Sequence, residues 1–72
     1  MNEKDFMTKI KAILDNESVT MASVLADLDE WDSLSIVSFI ALANSSCGKK
    51  IAPAQIRECV KISDLYNLLI SE

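Results

Sequence analysis

A single glycine, Gly48, and a single proline, Pro53, stand in a chain of 72 residues. Tight β-turns draw heavily on those two residue types, so their scarcity leaves little room for a sheet and favours an all-helical fold. Length narrows the choice further. Seventy-two residues make at most one domain, residues 1–72. A chain of this size buries only about 60% of the surface its unfolded form exposes, which supports one modest core. Half the residues are hydrophobic and 25% are charged, a balance that belongs to globular rather than disordered chains.

Charge and composition also remove function classes. The formal net charge is −4, which argues against nucleic acid as a partner, because phosphate binding needs a basic face. No apolar run approaches the roughly 20 residues of a membrane span, so no membrane insertion is expected. The opening stretch MNEKDFMTKIKAIL mixes acids with lysines and has no signal-peptide core. The expected compartment is the cytoplasm, with Cys47 and Cys59 as reduced, largely buried thiols. One cysteine pair makes no disulfide framework. There is no histidine, which removes the commonest general base and the commonest metal ligand. A Gly-rich phosphate loop and a CxxC motif are missing as well. The expectation is a protein that is not an enzyme and holds no metal.

Residues 3–15 read as an amphipathic helix, with Phe6, Ile10, Ile13 and Leu14 at i, i+4, i+7 and i+8. Asn2 suits its N-cap, Asp5 its first turn and Asn16 its stop. Residues 16–32 form a long connection with no sustained period. Its apolar residues Val19, Met21, Val24, Leu25, Leu28 and Trp31 are expected to pin it to the core. From Asp15 to Asp32 it carries six acids and no base. Residues 33–46 give the clearest helix. Asp32 or Ser33 can cap it, Gly48 ends it, and Lys49 and Lys50 lie beside the negative end of its dipole.

This helix has no charge from Ser33 to Gly48 and carries two apolar stripes. One is Ile36, Phe39, Ile40, Ala43 and Cys47. The other is Leu34, Val37 and Ala41, on a face shared with Ser33. A helix apolar on two faces is either buried all round or offers a partner surface, and a domain this small can hardly bury it all round. IAPAQIREC holds a short third helix with Pro53 in its first turn and Ile51, Ile56 and Cys59 facing inward. ISDLYNLLISE gives a last helix, with Ser63 as N-cap, Asp64 in the first turn and Leu65, Leu68 and Leu69 on one face. The expected architecture is a small four-helix bundle, three main helices and one short one, with a long first loop.

The stretch LDEWDSL, the apolar helix after it, the GKKIAP turn and the closing VKISDLYNLL together resemble the acyl carrier protein family, in its freestanding form. The likeness runs along nearly the whole chain in element order and spacing. It implies an acyl-carrier-protein-like bundle in which Ser33 is the attachment point of 4′-phosphopantetheine. A phosphopantetheinyl transferase would load the arm, and acyl-loading and acyl-transferring enzymes would use it. Acyl intermediates would be carried as thioesters, with all chemistry left to those partners. The expected state is a monomer. The implied partner-binding residues are Asp29, Glu30, Asp32, Leu34, Val37 and Ala41.

Several residues have a plainer reading too. Ser33 can simply cap its helix. Asp32 either caps it or, as the resemblance implies, helps to hold the transferase's metal and coenzyme. Leu34, Val37 and Ala41 are core or docking face, and Trp31 either fixes the loop to the helix corner or meets a partner.

One feature departs from the family. Typical carriers of fatty acid synthesis bear acids along the helix after the serine. Here those positions are Ser35, Ser38, Asn44 and Ser45, and the acids Asp27, Asp29, Glu30 and Asp32 all lie upstream. That points to a carrier dedicated to one pathway of fatty acid, polyketide or cell-envelope type. The alternatives are an aminoacyl or peptidyl carrier, or an unmodified helical protein-interaction module.

Overall fold

The computed structural model describes residues 1–71. These residues form four helices: α1 (Glu3–Leu14), α2 (Ser33–Cys47), α3 (Pro53–Arg57) and α4 (Ile62–Ile70). A single 3-10 turn, Leu25–Asp27, lies in the long first connection. The all-α expectation of three main helices and one short one therefore holds. The Cα radius of gyration is 10.8 Å, close to the roughly 11 Å of a compact chain of this length. Among the described residues, no helix is long and apolar enough to cross a membrane.

The core follows the apolar spacing. Phe6, Ile10 and Leu14 come from α1, Phe39 and Ala43 from α2, Ile56 from α3, and Ile62, Leu65 and Leu69 from α4. Val19, Leu25 and Ile51 complete it from the connections. Phe6 meets Tyr66 with ring centroids 5.2 Å apart, which binds α1 to α4.

Helix ends obey local chemistry. The Asn2 side chain accepts the Asp5 N–H at 2.8 Å and starts α1. Its end comes one residue earlier than the sequence implies. Asp15, not Asn16, takes the left-handed conformation, at φ 52°, a region that Asp and Asn tolerate better than most residues. Asn16 instead accepts the Ser18 N–H and bends the chain away. Gly48 ends α2 at φ 62°, where a Cβ would be strained. Ser63 does not cap α4. Lys61 holds the cap position, and the Asp64 carboxylate reaches back to the N–H groups of Val60 and Lys61 at 2.9 and 3.0 Å. Ser63 lies inside the helix, and its own N–H donates to the Met21 carbonyl.

That last bond belongs to the tie that orders the long loop. Leu25 N–H donates to Val60 O at 2.8 Å, and Ile62 N–H to Ser23 O at 3.0 Å, around an isolated bridge between Val24 and Lys61. The loop is thus held by the α3–α4 connection as well as by its buried Val19 and Leu25. Cys47 and Cys59 are free and only half-buried, less covered than the largely buried thiols expected. They stand at the last residue of α2 and just past α3, where the core covers one side alone.

Candidate functional site

The corner between the acidic loop and α2 is built from the first turn of the helix. Asp32 is extended, and its carboxylate accepts the Ser35 N–H at 3.1 Å, filling one of the amide positions that a helix start leaves open. Asp32, and not Ser33, is the cap. The Ser35 hydroxyl donates to the Glu30 carbonyl and lies 3.4 Å from Asp32 Oδ1. The same Glu30 carbonyl accepts the Asp32 N–H at 3.1 Å.

Ser35 is buried, on the stripe that continues at four-residue spacing to Phe39 and Ala43. The resemblance groups it with Ser38, Asn44 and Ser45 as the positions that carry acids in typical carriers, where partner enzymes dock. That placement is corrected: Ser35 turns inward, while the other three are exposed. The i, i+4, i+8 relation to Phe39 and Ala43 was the signal available for it.

Two contacts brace the corner from behind. Asn16 Nδ2 donates to Glu30 Oε1 at 3.2 Å, joining the corner to the end of α1. Glu30 Oε2 is buried with no hydrogen-bond partner among the described residues. Trp31 packs edge-on against Phe39, with centroids 6.4 Å apart and planes at 68°. This is the loop-fixing position expected of Trp31. Asn16 was legible only as a helix stop, since nothing in a 14-residue separation marks it as a partner of Glu30.

Outside this brace lies Ser33, the exposed first residue of α2. Among the described residues its hydroxyl takes no part in the corner's hydrogen bonds, and the N–H groups of Ser33 and Leu34 have no backbone acceptor. Leu34 is 77% exposed and Val37 63% exposed, and Ala41 is exposed one turn further on. The second stripe of α2 is thus surface and not core. Asp27, Asp29 and Asp32 face solvent, whereas Glu30 is half-buried and held by Asn16. The structure brings Asp32, Ser33, Leu34 and Val37 to one exposed start of a helix and sets Glu30 apart from them.

The sequence matches no family model, and no curated protein or solved structure is significantly similar to it. The site's chemistry is read from its own geometry. A serine is a weak nucleophile unless a neighbouring base activates it, and no side chain of the described residues hydrogen-bonds the Ser33 hydroxyl. What the corner offers is an accessible alcohol at the start of a helix. Its free N–H groups and the positive end of the α2 dipole would favour an anion attached there, so a phosphate ester on Ser33 fits the donors present.

Proposed function

We propose that the protein is a carrier of the acyl carrier protein type, with 4′-phosphopantetheine attached to Ser33. The observation that carries the reading is the exposed, unengaged hydroxyl of Ser33 at the first position of α2, inside the Asp32-Ser33-Leu34 sequence that resembles the family's attachment motif. In the loading step the Ser33 oxygen attacks the pantetheine-bearing phosphorus of coenzyme A, and a new P–O bond forms. The pyrophosphate P–O bond breaks, adenosine 3′,5′-bisphosphate leaves, and a base of the transferase takes the hydroxyl proton. The chain's own part is to present the oxygen, to accept the resulting phosphodiester at a helix N-terminus, and to offer a surface for docking.

The bound arm supplies the thiol that carries cargo as a thioester. Leu34, Val37 and Ala41 form the apolar docking face, and Asp27, Asp29 and Asp32 give it an acidic margin. Because α2 has no charge of its own, the partners are those of one dedicated acyl pathway, and attraction at a distance comes from the loop acids. The test is the intact mass of the purified chain after incubation with coenzyme A, Mg2+ and a broad-specificity phosphopantetheinyl transferase. Gain of one phosphopantetheine, located on Ser33 by peptide mapping, supports the reading. An unchanged mass favours the unmodified interaction module instead.

A further inference from the structure

We propose that Ser35 is a positioning residue for the modification of Ser33: its buried hydroxyl fixes the backbone on both sides of Ser33, so that the reacting oxygen is presented in one orientation. The inference rests on the carrier reading of Ser33. Its starting point is the convergence of two bonds on one atom. The Glu30 carbonyl accepts the Asp32 N–H, one residue before Ser33, and the Ser35 hydroxyl, two residues after it. A second convergence lies at Asp32 Oδ1, which takes the Ser35 N–H at 3.1 Å with the Ser35 hydroxyl 3.4 Å away. Ser33 therefore stands inside a closed ring of hydrogen bonds that it does not itself join.

The hydroxyl of Ser35 is not needed to start the helix. The cap bond uses its backbone N–H, which an alanine would keep. Nor does burial favour a hydroxyl there. At 6% exposure beside Phe39, a polar group costs free energy unless it is bonded. What the hydroxyl adds is the link between the helix and the loop carbonyl. That carbonyl belongs to Glu30, whose side chain is anchored by Asn16, and the next residue, Trp31, packs on Phe39. The ring is thus attached to α1 through Glu30 and to the core through Trp31. Loss of the Ser35 hydroxyl would free the Glu30–Asp32 segment on one side and leave the cap and the exposed docking face in place.

Such a loss acts on orientation rather than on encounter. A displacement of about 1 Å in a reacting group can cost on the order of 100-fold in rate. Partner docking depends instead on Leu34, Val37 and the loop acids Asp27 and Asp29, none of which hydrogen-bonds Ser35; Asp32 keeps its bond from the Ser35 N–H in Ser35→Ala.

The experiment compares wild type and Ser35→Ala in phosphopantetheine transfer by one broad-specificity transferase, well below the melting temperature of either protein. In parallel, acrylamide quenching of Trp31, the only tryptophan, reads the mobility of the corner without any transferase. The expected result is a kcat for Ser35→Ala lower by about tenfold, an unchanged KM for the carrier, and a more readily quenched Trp31. Equal kcat for the two proteins, or a change confined to KM, would overturn the inference while leaving Ser33 as the attachment point. A wild type that takes no phosphopantetheine would overturn the carrier reading, and this inference with it. An unfolded Ser35→Ala protein would also contradict it, by making Ser35 a residue of stability and not of position.

Discussion

Ser33 and Ser35 stand in the same turn of α2 and face opposite ways, Ser33 into solvent and Ser35 onto the Glu30 carbonyl. The helix cap is a third residue, Asp32. This division of labour gives the first prediction. Ser33→Ala should melt within about 0.5 kcal/mol of wild type, as a surface change does. Asp32→Ala should cost about 1 kcal/mol, the usual loss for an N-cap. Thermal melts of the two variants check it, and a Ser33→Ala loss as large as that of Asp32→Ala would return the cap to Ser33.

Acid sensitivity should trace to Asp64. Bonds from the Lys61 and then the Val60 backbone N–H hold its carboxyl below the ordinary value of 3.8. A carboxyl depressed in the folded state stabilises the fold above its ordinary value, and that contribution is lost as pH falls through the lower folded value. Asp64→Ala should therefore melt below wild type at neutral pH. The gap should close at pH values below the wild-type carboxyl's folded value. A gap independent of pH would mean that the charge is not what starts α4.

The Cys59 thiol should be hard to ionise in the folded protein. Burial first, then the charges of Asp64 and Glu58, raise the Cys59 thiol above its ordinary 9.0, and only the thiolate reacts. Alkylation of Cys59 in the folded protein should be slow at neutral pH although the residue is half-exposed. It should accelerate in Asp64→Asn, which removes one of the neighbouring charges. Unfolding should abolish the difference. Rapid native labelling of Cys59 at pH 7 would refute this.

Docking should separate into a salt-dependent and a salt-independent part. Asp27 and Asp29 are exposed, and charges of this kind act through solvent over about 10 Å at 0.1 M salt. Replacing both by Asn should slow phosphopantetheine transfer at low salt and lose its effect as salt rises. Glu30 is a poor probe, because Asn16 already holds it. Val37→Lys should slow transfer at every salt concentration and keep the fold, since Val37 is 63% exposed. Rates equal to wild type throughout would place docking elsewhere. The readout is transfer rate against salt for the three proteins.

The elements legible in the sequence were those with a local cause. The 3.6-residue spacing of Phe6, Ile10 and Leu14 and the bonds at Asn2 and Gly48 act within a turn or two, and each appears where the pattern put it. The start of α4 was misread. Ser63 and Asp64 are adjacent and both suit a helix start, and the choice was made by the Met21 carbonyl, which takes the Ser63 N–H from another part of the chain. The order of the long loop was anticipated from its apolar residues, but its backbone tie from Ser23 and Leu25 to Val60 and Ile62 has no local signature. At the candidate site, the place of Ser33 at the start of α2 was legible through its neighbours. Ser35 was not, because a serine in an apolar helix reads as surface until its partner carbonyl is in view.

The most direct measurement is the intact mass of wild type and Ser33→Ala after incubation with coenzyme A and a broad-specificity transferase. One phosphopantetheine is expected on wild type and none on Ser33→Ala, with the same far-UV circular dichroism for both. Ser33→Ala gaining the same mass, or wild type gaining none, would contradict that expectation.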